Sequence, residues 1–209
     1  MNRVKPDDIF FFFCLPSSKN DFFLDFENPN KHFVKDHLWP NRNDHCGSET
    51  LQELWDCYYR QVLHPYLKLA SRFKDRGFHF MEKVTFHDFA RNIKLDKGQI
   101  SILFSHSPCL DFTEYIEFHD SLITHKEIVD LVNPDQEGVF DLAVCNPKML
   151  CKALKIERPK LIVKSSNKLI DLDLWLYIYA CLFSIIELKK HSYIDAFKLC
   201  IEKIRQGEL

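Results

Sequence analysis

Two runs in this sequence end on side chains that could work together chemically. The first, QISILFSH at residues 99–106, ends on the imidazole of His106, and the second, GVFDLAVC at 138–145, ends on the thiol of Cys145. Both read as buried strands, and in open α/β sheets the C-terminal edge of the strands is where ligands bind. A cysteine attacks as thiolate, and a neighbouring imidazole is the commonest means of making one near neutral pH. The pair predicts a cysteine hydrolase. Alone, His106 would read as a hydrogen-bonded strand-end histidine and Cys145 as a small packing residue. Their order and common setting carry the prediction.

The elements that must position them alternate between strand and helix. A first strand covers Ile9–Cys14, and the polar, aromatic stretch 16–48 reads as a long excursion or hairpin insertion. Leu51, Leu54, Trp55, Tyr58, Val62, Tyr66, Leu69 and Phe73 follow helical steps, with a kink expected at Pro65 and a stop at Gly77. A strand over 78–84 and a short helix capped by Thr85 lead to the His106 strand. Residues 115–118 and 122–123 read as a hairpin, and Thr124 with Glu127 as a capping box opening the next helix. After the Cys145 strand come a helix over 149–155, a strand over 160–164 and two amphipathic helices, 174–188 and 192–205. Alternation of this kind predicts an α/β chain with a mostly parallel sheet covered by helices on both faces. With no linker or repeat, residues 1–209 read as one domain.

Composition narrows the function classes. The formal charge is −2 with acids and bases interspersed, which argues against the basic stripe of a nucleic-acid binder. No glycine-rich phosphate cradle is present, so no cofactor is expected. The eight cysteines contain no C-x-x-C pair, and a reducing, cytoplasmic setting is expected. The apolar run 174–186 is shorter than a membrane span. His32, His37, His45 and Cys46 share one segment, but their spacing matches no usual zinc set, and no metal is expected.

Residues 99–205 resemble the CHAT proteases of the caspase-like clan of cysteine peptidases. The likeness rests on the strand ending in His106, the hairpin and helix IEFHDSLITHKEIV (116–129), the strand DLAVC (141–145), and the closing helices with their aromatic-rich LWLYIY (174–179) and YIDAF (193–197). The resemblance implies a caspase-like three-layer fold with His106 as base and Cys145 as nucleophile. The oxyanion donors would be the backbone N–H groups of Ser107 and Cys145. It also implies a protein substrate, such as a gasdermin-like pore former or another co-encoded effector, and a place in bacterial defence or cell death; with no built-in sensor visible and the 16–48 stretch able to cover the site, an activating partner protein is expected. Where the family has glycine after the histidine and shortly after the cysteine, this chain has Ser107-Pro108 and Asn146-Pro147. Glycine permits conformations that serine tolerates poorly, so the alternative is a catalytically impaired pseudoprotease acting as a protein-binding module. In the family the position two before the nucleophile helps line the first substrate pocket. Here it is Ala143, which predicts an uncharged residue before the cut, with Asp111 as a second pocket candidate. Asp111 and Glu114 are also the candidates for orienting the imidazole.

Overall fold

The computed structural model describes residues 3–38, 50–145, 147–166, 172–188 and 191–208, with backbone only at 37 and 38. Five strands form one fully parallel sheet: β1 (Ile9–Phe13), β2 (His79–Glu82), β3 (Ile100–Phe104), β7 (Val139–Ala143) and β8 (Ile162–Ser165), in the order β2-β1-β3-β7-β8. The near-continuous apolar runs IFFFF, ISILF and VFDLA occupy the three central positions, as expected for strands buried on both faces. The edge strands β2 and β8 are only half-buried.

Alternate residues of the central strands enter two cores. Phe11, Phe13, Ile102, Phe104 and Ala143 pack with α2 (Leu51–Tyr58), α3 (His64–Phe73), α7 (Leu172–Leu188) and α8 (Tyr193–Arg205). Phe12, Leu103, Phe140 and Leu142 pack with α4 (Phe86–Asn92), α5 (His125–Leu131) and α6 (Lys148–Glu157). The result is a three-layer α/β architecture. Between β3 and α5 the chain makes a small antiparallel sheet of β4 (Cys109–Leu110), β5 (Thr113–Glu117) and β6 (Leu122–Thr124). The expected hairpin is therefore present, with an additional strand, β4. Among the described residues no helix is long and apolar enough to cross a membrane.

Local chemistry explains most boundaries. Thr50 with Glu53 and Thr124 with Glu127 form reciprocal capping boxes, and Ser192 accepts the Asp195 N–H at the start of α8. Gly138 precedes β7 where a Cβ would meet Leu95 backbone atoms at 2.6 Å, and its N–H donates to the Leu95 carbonyl at 2.7 Å. Only glycine allows this approach.

Two expectations need correction. The start of the 16–48 stretch is not a hairpin: α1 (Lys19–Glu27) forms there, with Ser18 accepting the Asp21 N–H, and buries Phe22 completely. The S-x-x-D cap was the available signal. Residues 39–48 of that stretch lie outside the described residues. The helical irregularity also falls not at Pro65 but one turn earlier, as a wide π-type segment over Tyr59–Leu63. Pro65 has no N–H to return to residue 61, and the preceding turn widens to accommodate the gap.

Candidate active site

β3 and β7 are neighbours whose last register partners are Phe104 and Ala143. Each chain runs two residues further, one to His106 and the other to Cys145, and the Ser105 N–H donates to the Ala143 carbonyl at 3.3 Å. Strand alternation gives Ile102, Phe104 and His106 the same parity as Asp141, Ala143 and Cys145. The His106 ring meets Phe33, a member of the core on that face, at 5.9 Å between centroids. Both residues therefore follow, two positions on, the last register pair of adjacent strands at the C-terminal edge of the sheet. The neighbouring β1–β3 boundary is where the strand order reverses, the usual ligand crevice of such sheets.

His106 is buried, and its Nε2 lies 3.3 Å from Asp36 Oδ2. Asp36 belongs to a wide helical turn, Val34–Leu38, that follows α1. The sequence offered no periodicity or motif to single it out. The main chain of His106 is held by an antiparallel bridge to Glu117, whose N–H donates to the His106 carbonyl at 2.9 Å.

Cys145 is half-buried in the bend between β7 and α6, and burial pushes its thiol up to about 11. The first turn of α6 begins three residues later at Lys148, and the N-terminal end of a helix favours nearby negative charge. Ser107 is 8% exposed, and its Oγ has no hydrogen-bond partner among the described residues. Its N–H likewise finds no acceptor there. Ser107 takes a negative φ, so the position does not call for glycine in this chain. Asn146 lies outside the described residues, as do His45 and Cys46.

The other candidates separate from this pair. Ala143 is 1% exposed and packs in the core shared with α7 and α8. Asp111 occupies the exposed turn between β4 and β5 with φ 47°, followed by Phe112 at φ 63°. Glu114 faces His125, Oε2 to Nε2 at 3.4 Å, rather than His106. Burial lowers the His125 imidazole, and Glu114 opposes that shift.

A cleft of about 320 Å³ lies between α6 and the end of β8, lined by Lys148, Cys151, Lys152, Lys155, Ser165 and Ser166. It shares the C-terminal edge with Cys145. None of the three lysines has a carboxylate partner among the described residues. An apolar cavity of about 350 Å³ opens at the opposite edge, between the starts of β3, β7 and β8 and the start of α8. None of the candidate groups reaches it.

Six of the described cysteines are free, and Cys57 is disulfide-bonded. Compared with known proteins, the chain matches no family model and no curated protein.

Proposed function

We propose that this chain is a cysteine endopeptidase of the caspase-like, CHAT type, with Cys145 as nucleophile and His106 as general base. The observation that carries the reading is the register: His106 and Cys145 extend equally beyond the paired residues Phe104 and Ala143, with the same parity, at the C-terminal edge of a 2-1-3-7-8 parallel sheet. In the proposed cycle His106 takes the thiol proton as sulfur attacks the scissile carbonyl carbon. The oxyanion is held by the backbone N–H groups of Ser107 and Cys145, and the imidazolium returns its proton to the leaving amine. Water, deprotonated by the same imidazole, then hydrolyses the thioester. The substrate would be a specific protein in a cytoplasmic defence or cell-death pathway, and release of activity would come from a partner protein.

Cleavage of a diverse peptide library by the purified protein, with and without an activating lysate, tests this. Cleavage that falls to background in Cys145→Ala, while circular dichroism stays native, supports the reading. Retained cleavage in that variant contradicts it.

One observation favours a second reading. Burial raises the Cys145 thiol, and Asn146-Pro147 follows it where the family has glycine, as in a pseudoprotease that binds peptides without cutting. Peptide binding of equal affinity in wild type and Cys145→Ala, with no turnover in either, would select it.

A further inference from the structure

The stretch from residue 28 to Asp36 crosses the hairpin strand β5 as a strap, and one buried carboxylate fastens it. Glu117 is 3% exposed, and its Oε2 accepts the N–H groups of His32 at 3.0 Å and Phe33 at 3.1 Å. Its Oε1 lies 3.7 Å from Lys31 Nζ, which donates to the Phe118 carbonyl at 2.5 Å. Three successive strap residues are thus seated through a single side chain. The backbone of the same residue holds the other partner: the Glu117 N–H donates to the His106 carbonyl, and the Ser105 hydroxyl donates to the Glu117 carbonyl. So fastened, the strap sets the Phe33 ring against the imidazole at an interplanar angle of 61° and Asp36 Oδ2 at Nε2. Buried loop N–H groups need acceptors, but a carboxylate whose own backbone also anchors the neighbouring imidazole does more than satisfy them.

We propose that Glu117 is a positioning residue for His106: by seating the strap it keeps the Asp36 carboxylate on Nε2, which holds the neutral imidazole as its Nε2–H tautomer and makes Nδ1 the proton acceptor. A carboxylate accepts only from a protonated ring nitrogen, and the nitrogen that keeps the proton is set by the bond it makes. The inference rests on the reading of His106 as the base of Cys145. In that step the thiol proton passes to Nδ1, and the resulting imidazolium keeps Asp36 as its counter-charge. Glu117 touches neither sulfur nor substrate.

Nitrogen-15 NMR of the full-length protein labelled at histidine tests this without a substrate. The His106 resonances are assigned by their loss in His106→Gln. In wild type the Nε2 shift should be that of a protonated nitrogen and the Nδ1 shift that of an acceptor. Asp36→Ala and Glu117→Ala should each move both shifts toward a tautomer mixture. Amide exchange at residues 32 and 33 should quicken about tenfold or more in Glu117→Ala, with the five-strand sheet unaffected. Glu117→Gln, which keeps an acceptor for the two N–H groups, should retain the wild-type tautomer.

A wild-type Nδ1–H tautomer overturns the proposal, and so does a strap loosened in Glu117→Ala without any change at His106. Should Glu117→Ala fail to fold, Asp36→Ala decides, because Asp36 is 45% exposed and its loss disturbs no core; an unchanged tautomer there overturns the proposal. Failure to cleave any peptide, with the Nε2–H tautomer observed, counts against the peptidase reading and leaves the positioning inference standing.

Discussion

At the scale of single residues, the proposed chemistry turns on a thiol whose burial favours the protonated form. Burial raises the Cys145 thiol to about 11, so under the proposed reading its attack is coupled to proton removal by His106, as in a serine hydrolase, rather than begun from a resting ion pair. Iodoacetamide modification of Cys145, followed site by site by mass spectrometry, should therefore be slow at pH 7 and rise with an inflection near 11. An inflection below 8 in the resting protein would show a preformed thiolate instead. His106 and Cys145 were legible in the sequence because each ends an apolar run that only a central strand could use. Asp36 was not, since it meets an imidazole 70 positions away from inside a polar stretch. Glu114 was mistaken for a partner of His106 because nearness in sequence stood in for geometry. The β4–β5 turn instead carries it to His125.

At the scale of elements, the contact between strap and hairpin should depend on pH. Burial pushes the Glu117 carboxyl up to about 7, opposed by Lys31 and by the His32 and Phe33 N–H groups and reinforced by Asp25. Cys14 and Asp120 share this surrounding field, and Asp25 is also under the electrostatic influence of His119. The folded value lies above the ordinary 4.5, so the folded state holds the proton more tightly than the unfolded chain. The stability Glu117 contributes is therefore complete below about pH 4.5 and is lost as pH rises through about 7, a change on the order of 3 kcal/mol. Amide protection over residues 28–36, corrected for intrinsic exchange, should fall between pH 5 and pH 8, and Glu117→Gln should remove that slope. Equal slopes in the two proteins would assign the dependence to another group. The helices and strands themselves were mostly legible, because Thr50, Thr124 and Ser192 announce their helices by capping chemistry. β4 was not, since two residues carry no periodicity and it exists only by pairing with β5.

At the scale of the whole molecule, the sheet that carries both strand ends is tied to its helices by a buried charge cluster. Asp141, fully buried on β7, accepts from Lys164 Nζ on β8 at 2.7 and 2.8 Å and from the Tyr193 hydroxyl of α8 at 2.6 Å. The Lys164 ammonium also lies over the rings of Phe197 and Trp175, at 3.7 and 4.7 Å. Removing one member of a buried pair strands the other, so Lys164→Ala should lower the unfolding free energy by about 3–5 kcal/mol in urea titration. A loss below about 1 kcal/mol would mean that the cluster is dispensable. The parallel α/β architecture was legible from the alternation of elements. The order β2-β1-β3-β7-β8 was not, because neighbours in a parallel sheet are chosen by crossover packing rather than by any local pattern. That order places the ends of β3 and β7 side by side, and the account of function stands on it. The most direct measurement is intact-mass and peptide-mapping analysis after treatment with a panel of peptidyl chloromethyl ketones, in wild type and His106→Ala. The account predicts one adduct, at Cys145, formed by a subset of the peptides and strongly slowed in His106→Ala. Labelling confined to the exposed Cys109, or labelling of Cys145 at equal rates in both proteins, would contradict it.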